Sequence, residues 1–225
     1  MTPIYPPISD YALIGDCQSS ALVSRDGSID WCCLPRFDSD SCFGRILDWQ
    51  KGGYFEIKPR GRYRARREYL RESLILVTTF TAGASEARLI DFFAMRAGGR
   101  THPRRELVRI IEGVKGSMRF GVRIEPRFEF GEMRPLIYRA GTASAAPPRG
   151  GAFVAAGGNT GLLMFGDVEL RQGDDEHSLE GEADISSGER LHLALQFVAP
   201  EDLHTTSARA EARDRLAAHY DETLK

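Results

Sequence analysis

Cysteine is scarce in this chain. There are four, Cys17, Cys32, Cys33 and Cys42. None forms a CxxC pair, and no histidine stands at metal-ligand spacing, so neither a metal site nor a disulfide framework is indicated. Adjacent Cys32 and Cys33 point to opposite sides of a strand, and reduced, partly buried thiols in a cytoplasmic protein fit that pattern. Long apolar runs are also missing, so nothing reads as a membrane span. The start, MTPIYPPISDYALIG, lacks a basic stretch followed by an apolar run and does not read as a secretory signal. An excess of one charge is absent: the formal net charge is -2, which gives no overall pull toward nucleic acid or membrane. The local run of arginines from Arg60 to Arg71 alternates with Tyr63, Ala65 and Tyr69, as on the outer face of a strand. There is no GxSxG, no P-loop and no GxGxxG after a strand, and no cofactor is implied. The histidines, His102, His177, His192, His204 and His219, are scattered and define no pair with a nucleophile.

What is present is alternation with period two. Met118, Phe120, Val122 and Ile124 alternate with Arg119, Gly121 and Arg123. Leu191, Leu193, Leu195 and Phe197 alternate with His192, Ala194 and Gln196. Each run puts apolar side chains on one sheet face. Leu74–Val77, followed by Thr78, Thr79 and Phe80, reads as a strand buried on both faces. Further strands are expected over Ser20–Ser24, Ile29–Cys33, Tyr54–Lys58, Arg62–Leu70, Glu86–Ala94, Glu106–Val114, Gly161–Phe165 and Val168–Arg171. Asp26-Gly27 between two such runs predicts a hairpin, because glycine tolerates positive φ. Many short strands and frequent turns predict a mainly β fold, a large antiparallel β-sandwich over residues 1–200. Gly141–Gly151, rich in Ala, Pro and Gly, reads as a loop. After Pro200 the composition changes. Ala208, Ala212, Leu216, Tyr220 and Leu224 form one helical stripe, with Thr205, Thr206 or Ser207 available as a cap. Residues 201–225 are therefore expected to be a helical linker.

The segment from Asp10 to Asp48 has the densest mixture of turn signals, aromatics and carboxylates. Asp16, Asp26, Asp30, Asp38, Asp40 and Asp48 all lie within it. Acid–base catalysis needs two such groups at fixed geometry, and spacing provides no such pair. Asp26 suits a hairpin turn. Asp30, alternating with Ile29 and Trp31, is expected to face outward. Asp38 can turn the chain after Pro35-Arg36-Phe37, pair with Arg36 or bind a sugar hydroxyl. Trp31, Phe37, Phe43 and Trp49 sit near turns and charges, a composition that serves either burial or stacking on a pyranose ring.

The order Ile8, Asp10–Asp16, Ala21–Val23, Arg25–Trp31, Cys33–Ser39, Phe43-Gly44, Leu47-Asp48 resembles the start of bacterial glycoside hydrolase family 15 proteins, the glucoamylase, glucodextranase and trehalase group. Glu125–Gly131 resembles a second family segment, with Phe130 where Tyr is commoner. Tyr220–Lys225 resembles the helix leading to the catalytic domain. The resemblance implies a supersandwich-like N-terminal domain, a linker helix and then an (α/α)6 catalytic barrel that this sequence does not include. The barrel carries the family's two catalytic glutamates, so no catalytic residue is assigned here and the chain alone is expected to be inactive. Its implied partner is that barrel, with glucan or trehalose at the interface. Trp31, Arg36, Phe37 and Asp38 are the candidates for a rim or interdomain loop, with Trp31 as support. The alternatives are a free-standing carbohydrate-binding module and a self-associating structural module. Which sugar the parent enzyme hydrolyses is decided mostly by barrel loops.

Overall fold

A computed structural model describes residues 5–99, 101–140, 150–203 and 213–224. Sixteen strands form among them. In chain order the first eight are β1 Tyr11–Gly15, β2 Ser20–Ser24, β3 Ser28–Cys33, β4 Ser41–Phe43, β5 Tyr54–Pro59, β6 Arg64–Tyr69, β7 Leu76–Ala82 and β8 Ser85–Phe93. The second eight are β9 Glu106–Lys115, β10 Ser117–Glu125, β11 Leu136–Arg139, β12 Ala152–Gly157, β13 Thr160–Gly166, β14 Leu170–Gln172, β15 Leu179–Ser186 and β16 Arg190–Val198. One α-helix among the described residues, α1, spans Arg213–Thr223.

The strands make two antiparallel sheets of eight. The first has the order β1-β2-β3-β5-β10-β15-β14, with β4 paired to β3; the second runs β11-β12-β13-β16-β9-β8-β7-β6. Their inner faces share one core. Ile29, Phe55, Ile57, Phe120 and Val122 from the first sheet meet Phe80, Leu89, Leu107, Ile111 and Leu195 from the second. Burying side chains of this size contributes roughly 1.5–3 kcal/mol each. The chain is thus mainly β, a large antiparallel sandwich, as its alternation predicts.

The second sheet is apolar on both faces. Ile75, Val77, Ile90, Phe92, Val108 and Ile110 form a separate buried cluster on its outer side, and Tyr220 and Leu224 of the α1 region pack against it. This explains the unbroken apolar run ahead of Thr78: Leu76 faces the shared core while Ile75 and Val77 face the outer cluster. Leu74, the first residue of that run, is exposed and lies outside β7. Helix α1 is also tied to the sheet by polar contacts. Thr223 Oγ1 accepts from Met95 N at 2.9 Å, Arg104 Nη2 lies 2.5 Å from Glu222 Oε2, and His219 Nδ1 lies 2.6 Å from Glu106 Oε1. The predicted cap at Thr205–Ser207, the stripe positions Ala208 and Ala212, and most of the predicted Gly141–Gly151 loop lie outside the described residues.

The Asp26-Gly27 hairpin forms as predicted, with Gly27 at φ +83°. The position admits only glycine for a second reason. A Cβ there would stand 2.4 Å from the Ile57 carbonyl oxygen and 3.0 Å from Leu89 of the opposite sheet. The turn is therefore wedged against the interior, and it fixes where β3 begins.

Candidate functional site

The loop after β3 is held by the loop before β2. Asp16 Oδ1 accepts from the backbone N–H groups of Gln18 at 3.0 Å and Ser19 at 2.7 Å. The Ser19 hydroxyl then donates to the Pro35 carbonyl at 2.7 Å, and Phe37 N donates to the Gln18 carbonyl at 2.7 Å. Within the loop, Ser39 N donates to Arg36 O at 3.1 Å and Arg36 N to Ser39 Oγ at 3.2 Å. These bonds satisfy the turn and leave its side chains pointing outward.

Arg36 and Asp38 meet in a two-pronged ion pair, with Nε to Oδ1 at 2.8 Å and Nη2 to Oδ2 at 3.1 Å. The hydrogen bond to Arg36 holds the Asp38 carboxyl below its ordinary value, and the Arg36 guanidinium is correspondingly raised. Phe37 between them is 63% exposed. The loop thus offers fixed donors, a fixed acceptor and an apolar ring to a neighbour.

Trp31 sits on the other side of β3 from the core residues Ile29 and Cys32. Its cross-strand neighbour is Leu22, whose own neighbour on β1 is Leu13. The structure places its ring beside Phe130, with centroids 6.2 Å apart and planes tilted by 31°. Phe130 is 45% exposed. It lies in the tight turn Glu129–Gly131, in which Glu129, Phe130 and Gly131 take φ of 51°, 59° and 102°. Two consecutive left-handed residues that are not glycine are strained, and such backbone persists only where its surroundings fix it. Phe130 N donates to the Ser41 hydroxyl at 3.1 Å, and Met133 N donates to Phe128 O at 3.1 Å. Gly157 makes room beside the turn, since a Cβ there would stand 2.8 Å from Met133 Sδ. Because Ser41 opens the strand that follows the Pro35–Ser39 loop, Phe130 and that loop share one end of the first sheet. In the sequence, Glu125–Gly131 stands out as a family segment, but Phe130 does not stand out as a site residue. A large aromatic just ahead of a glycine in a turn is the signal that was available.

The remaining motif residues build scaffold. Asp30 does not face outward as expected: it is 1% exposed. Tyr11 donates its hydroxyl to Asp30 Oδ2 at 2.8 Å, Ser28 donates to Oδ1 at 2.5 Å, and Arg45 Nη1 lies 3.7 Å away. The correction has a local cause. The β2–β3 register shifts between Leu22 and Val23, and the chain beyond Gly44 lies over Asp30, with Ile46 N bonded to its carbonyl at 3.2 Å. Arg45 is itself sandwiched, 4.0 Å from the Trp49 ring centroid and 3.8 Å from that of Tyr54. Arg25 pairs with Asp10 at 3.1 Å, and Tyr63 donates to Asp26 at 3.2 Å. Asp48 accepts from Gln50 N and Lys51 N, both at 2.9 Å. Asp16, Asp26, Asp30, Asp38 and Asp48 are therefore all engaged in turns, pairs or buried bonds.

The described histidines are engaged too, exposed His102 only with its neighbour, Nδ1 lying 3.0 Å from Thr101 Oγ1. His192 pairs with Asp167 at 2.9 Å, His219 with Glu106 at 2.6 Å, and His177 Nδ1 lies 2.9 Å from Pro135 O. Among the described residues, no group of three or more His, Cys, Asp or Glu is arranged to hold a metal ion. No helix there is long and apolar enough to cross a membrane. An open groove of about 560 Å³ crosses the outer face of β5, β10 and β15; two of its three arginines are paired, Arg60 with Glu182 and Arg123 with Glu180.

Comparison with known proteins agrees with the motif order. The family described as "Trehalase-like, N-terminal" matches residues 4–145. A protein named "Trehalase" from Mycolicibacterium smegmatis is 30% identical over 210 residues, covering 86% of this chain and 30% of its own. A "Trehalase" from Thermoplasma volcanium is 34% identical over 137 residues, 59% of this chain and 22% of its own. "Trehalase 2" of Sulfolobus acidocaldarius is 37% identical over 122 residues, 54% of this chain and 19% of its own. The chain thus spans less than a third of the length of these relatives. By sequence, by motif order and by match over most of its length, the chain belongs to the trehalase-like N-terminal domain family.

Proposed function

We propose that this chain is the non-catalytic N-terminal sandwich of an inverting α-glucoside hydrolase of the trehalase or glucoamylase type. In this reading residues 1–200 pack on an (α/α)6 catalytic barrel, residues 201–225 lead toward it, and the Pro35–Ser39 loop shapes the rim of its sugar site. Arg36, Phe37 and Asp38 are the rim residues, and Trp31 stands behind them. The observation that carries the reading is the family match over residues 4–145, joined to relatives named trehalase that run far beyond it. The geometry supports it. The carboxylates of the family motif are bound into turns and pairs, whereas inverting hydrolysis needs two carboxyl groups roughly 6.5–9.5 Å apart around a water. The outward-facing side chains of the Pro35–Ser39 loop suit contact with something beyond the sandwich. The test is a turnover assay. Purified chain is expected to release no glucose from trehalose or maltooligosaccharides. Clear turnover that disappears on a substitution within this chain would overturn the reading.

A further inference from the structure

The turn that carries Phe130 is a strained piece of backbone, and its product is an exposed aromatic ring. Core packing has no use for such an arrangement, since the same turn could place a polar residue at that position. The ring it projects lies beside the half-buried Trp31, with centroids 6.2 Å apart. Past the end of β3, the chain continues directly into the Arg36–Asp38 pair.

We propose that Trp31 and Phe130 form a stacking platform for a glucosyl ring of a neutral α-linked glucoside, with Arg36 and Asp38 reaching its hydroxyls. The CH face of a pyranose is apolar and its edge is polar, so it is met by an aromatic floor and a hydrogen-bonding rim. Charge complementarity selects a neutral ligand: Arg36 is already neutralised by Asp38, and an ionic ligand would have to break that pair. Size argues against a protein as the sole occupant. Beyond the two rings, the apolar surface here is Leu22 and the 47% exposed Leu13 across the strands and the 63% exposed Phe37 in the loop, whereas a stable protein interface draws on about 20–30 residues a side. The α-glucoside class rests on the proposed-function reading; the platform itself rests on geometry.

The chain has two tryptophans, Trp31 and Trp49. A Trp49→Phe variant therefore leaves Trp31 as a single fluorescent reporter at the platform. Titration with trehalose and with maltotriose is expected to change its emission saturably, with half-saturation on the order of millimolar. Phe130→Ala should weaken binding about tenfold or abolish it. Tyr138→Ala, which removes an exposed ring on the other sheet, should change nothing. Isothermal calorimetry on the unaltered chain provides a second reading without any substitution. Flat fluorescence and flat heat up to about 100 mM of either sugar would overturn the platform. So would binding that survives Phe130→Ala undiminished. Neither result touches the proposed function, which stands or falls on turnover.

Discussion

Arg109 and Asp91 face each other as paired residues of β9 and β8, inside the sandwich and with no exposed side-chain surface. Arg109 Nε donates to Asp91 Oδ1 at 2.8 Å and Nη2 to Oδ2 at 3.3 Å. The same guanidinium reaches across the core to the other sheet, donating to Phe55 O at 2.6 Å and Gly27 O at 2.7 Å. One side chain therefore bonds the second sheet to the first at the Asp26-Gly27 hairpin. Burial raises the pKa of Asp91, and Arg109 offsets that cost in part. Arg109→Met should destabilise the chain by about 3–5 kcal/mol, because it strands a buried carboxylate and two carbonyls. The double variant Arg109→Met, Asp91→Leu should recover part of that loss. Urea denaturation of the four proteins gives the coupling; strictly additive losses would show that the pair does not act as a unit.

Asp30 gives the second prediction. Its partners are Tyr11, Ser28 and Arg45, and the last of these is stacked between Trp49 and Tyr54. Asp30→Ala leaves a buried hydroxyl and a largely buried guanidinium without their acceptor, at a cost of about 3 kcal/mol. Asp30→Asn keeps the acceptor oxygen but not the charge, and should cost less. Thermal melts order the three proteins. An Asp30→Ala chain as stable as the unaltered one would return this residue to a role outside the scaffold.

The clearest alternation was legible in the sequence because its physics is local. Met118–Ile124 and Leu191–Phe197 lie within β10 and β16, and their apolar members line the shared core. Strand β15 is not marked by its sequence. Leu179, Ala183 and Ile185 do alternate, but with Glu180, Glu182 and Asp184, residues that rarely favour strands. Those acids are tolerated because Arg123, Arg60 and Arg119 come from elsewhere in the sheet to meet them. The short strands β4 and β11 offer too few residues to show a period. Nor does a polar–apolar alternation mark β1 or the alanine-rich β12. The site divides the same way. The Arg36–Asp38 pair spans two residues and could be anticipated. Asp30's burial and Phe130's place beside Trp31 depend on contacts between distant parts of the chain, which spacing does not encode.

The thiols supply a third prediction. Cys17 is exposed, while Cys32, Cys33 and Cys42 are buried and joined by no disulfide. Burial pushes the Cys33 thiol up to about 12. Cys32 is also raised, chiefly by its hydrogen bond with Cys42 and then by burial. Since the thiolate is the reactive form, these groups should be inert in the folded chain. A thiol-reactive chromogenic disulfide near pH 8 should titrate one group natively and four after unfolding. Cys17→Ser should abolish the native reaction. Rapid modification of a second thiol in the folded chain would show that the interior around β3 and β4 opens.

Acid should loosen the cover over Asp30 through Asp48. The backbone N–H groups of Lys51 and Gln50 donate to its carboxylate, and these bonds hold its pKa below the ordinary value of 3.8. A carboxyl depressed in the folded state stabilises that state fully above its unfolded value. The contribution fades as pH falls through the lower, folded value. The turn over Asp48–Lys51 should therefore stay closed from neutrality down to about pH 4 and open only below it. Trp49 lies inside this turn and stacks on Arg45, so it reports the change directly. In a Trp31→Phe variant, Trp49 emission should hold steady to that point and then shift toward that of exposed indole. Asp48→Ala removes the acceptor at every pH, so its emission should already be shifted at neutrality and should lose the acid step. A step that persists in Asp48→Ala would assign the transition to another carboxylate, for which Asp38, depressed by Arg36, is the next to substitute.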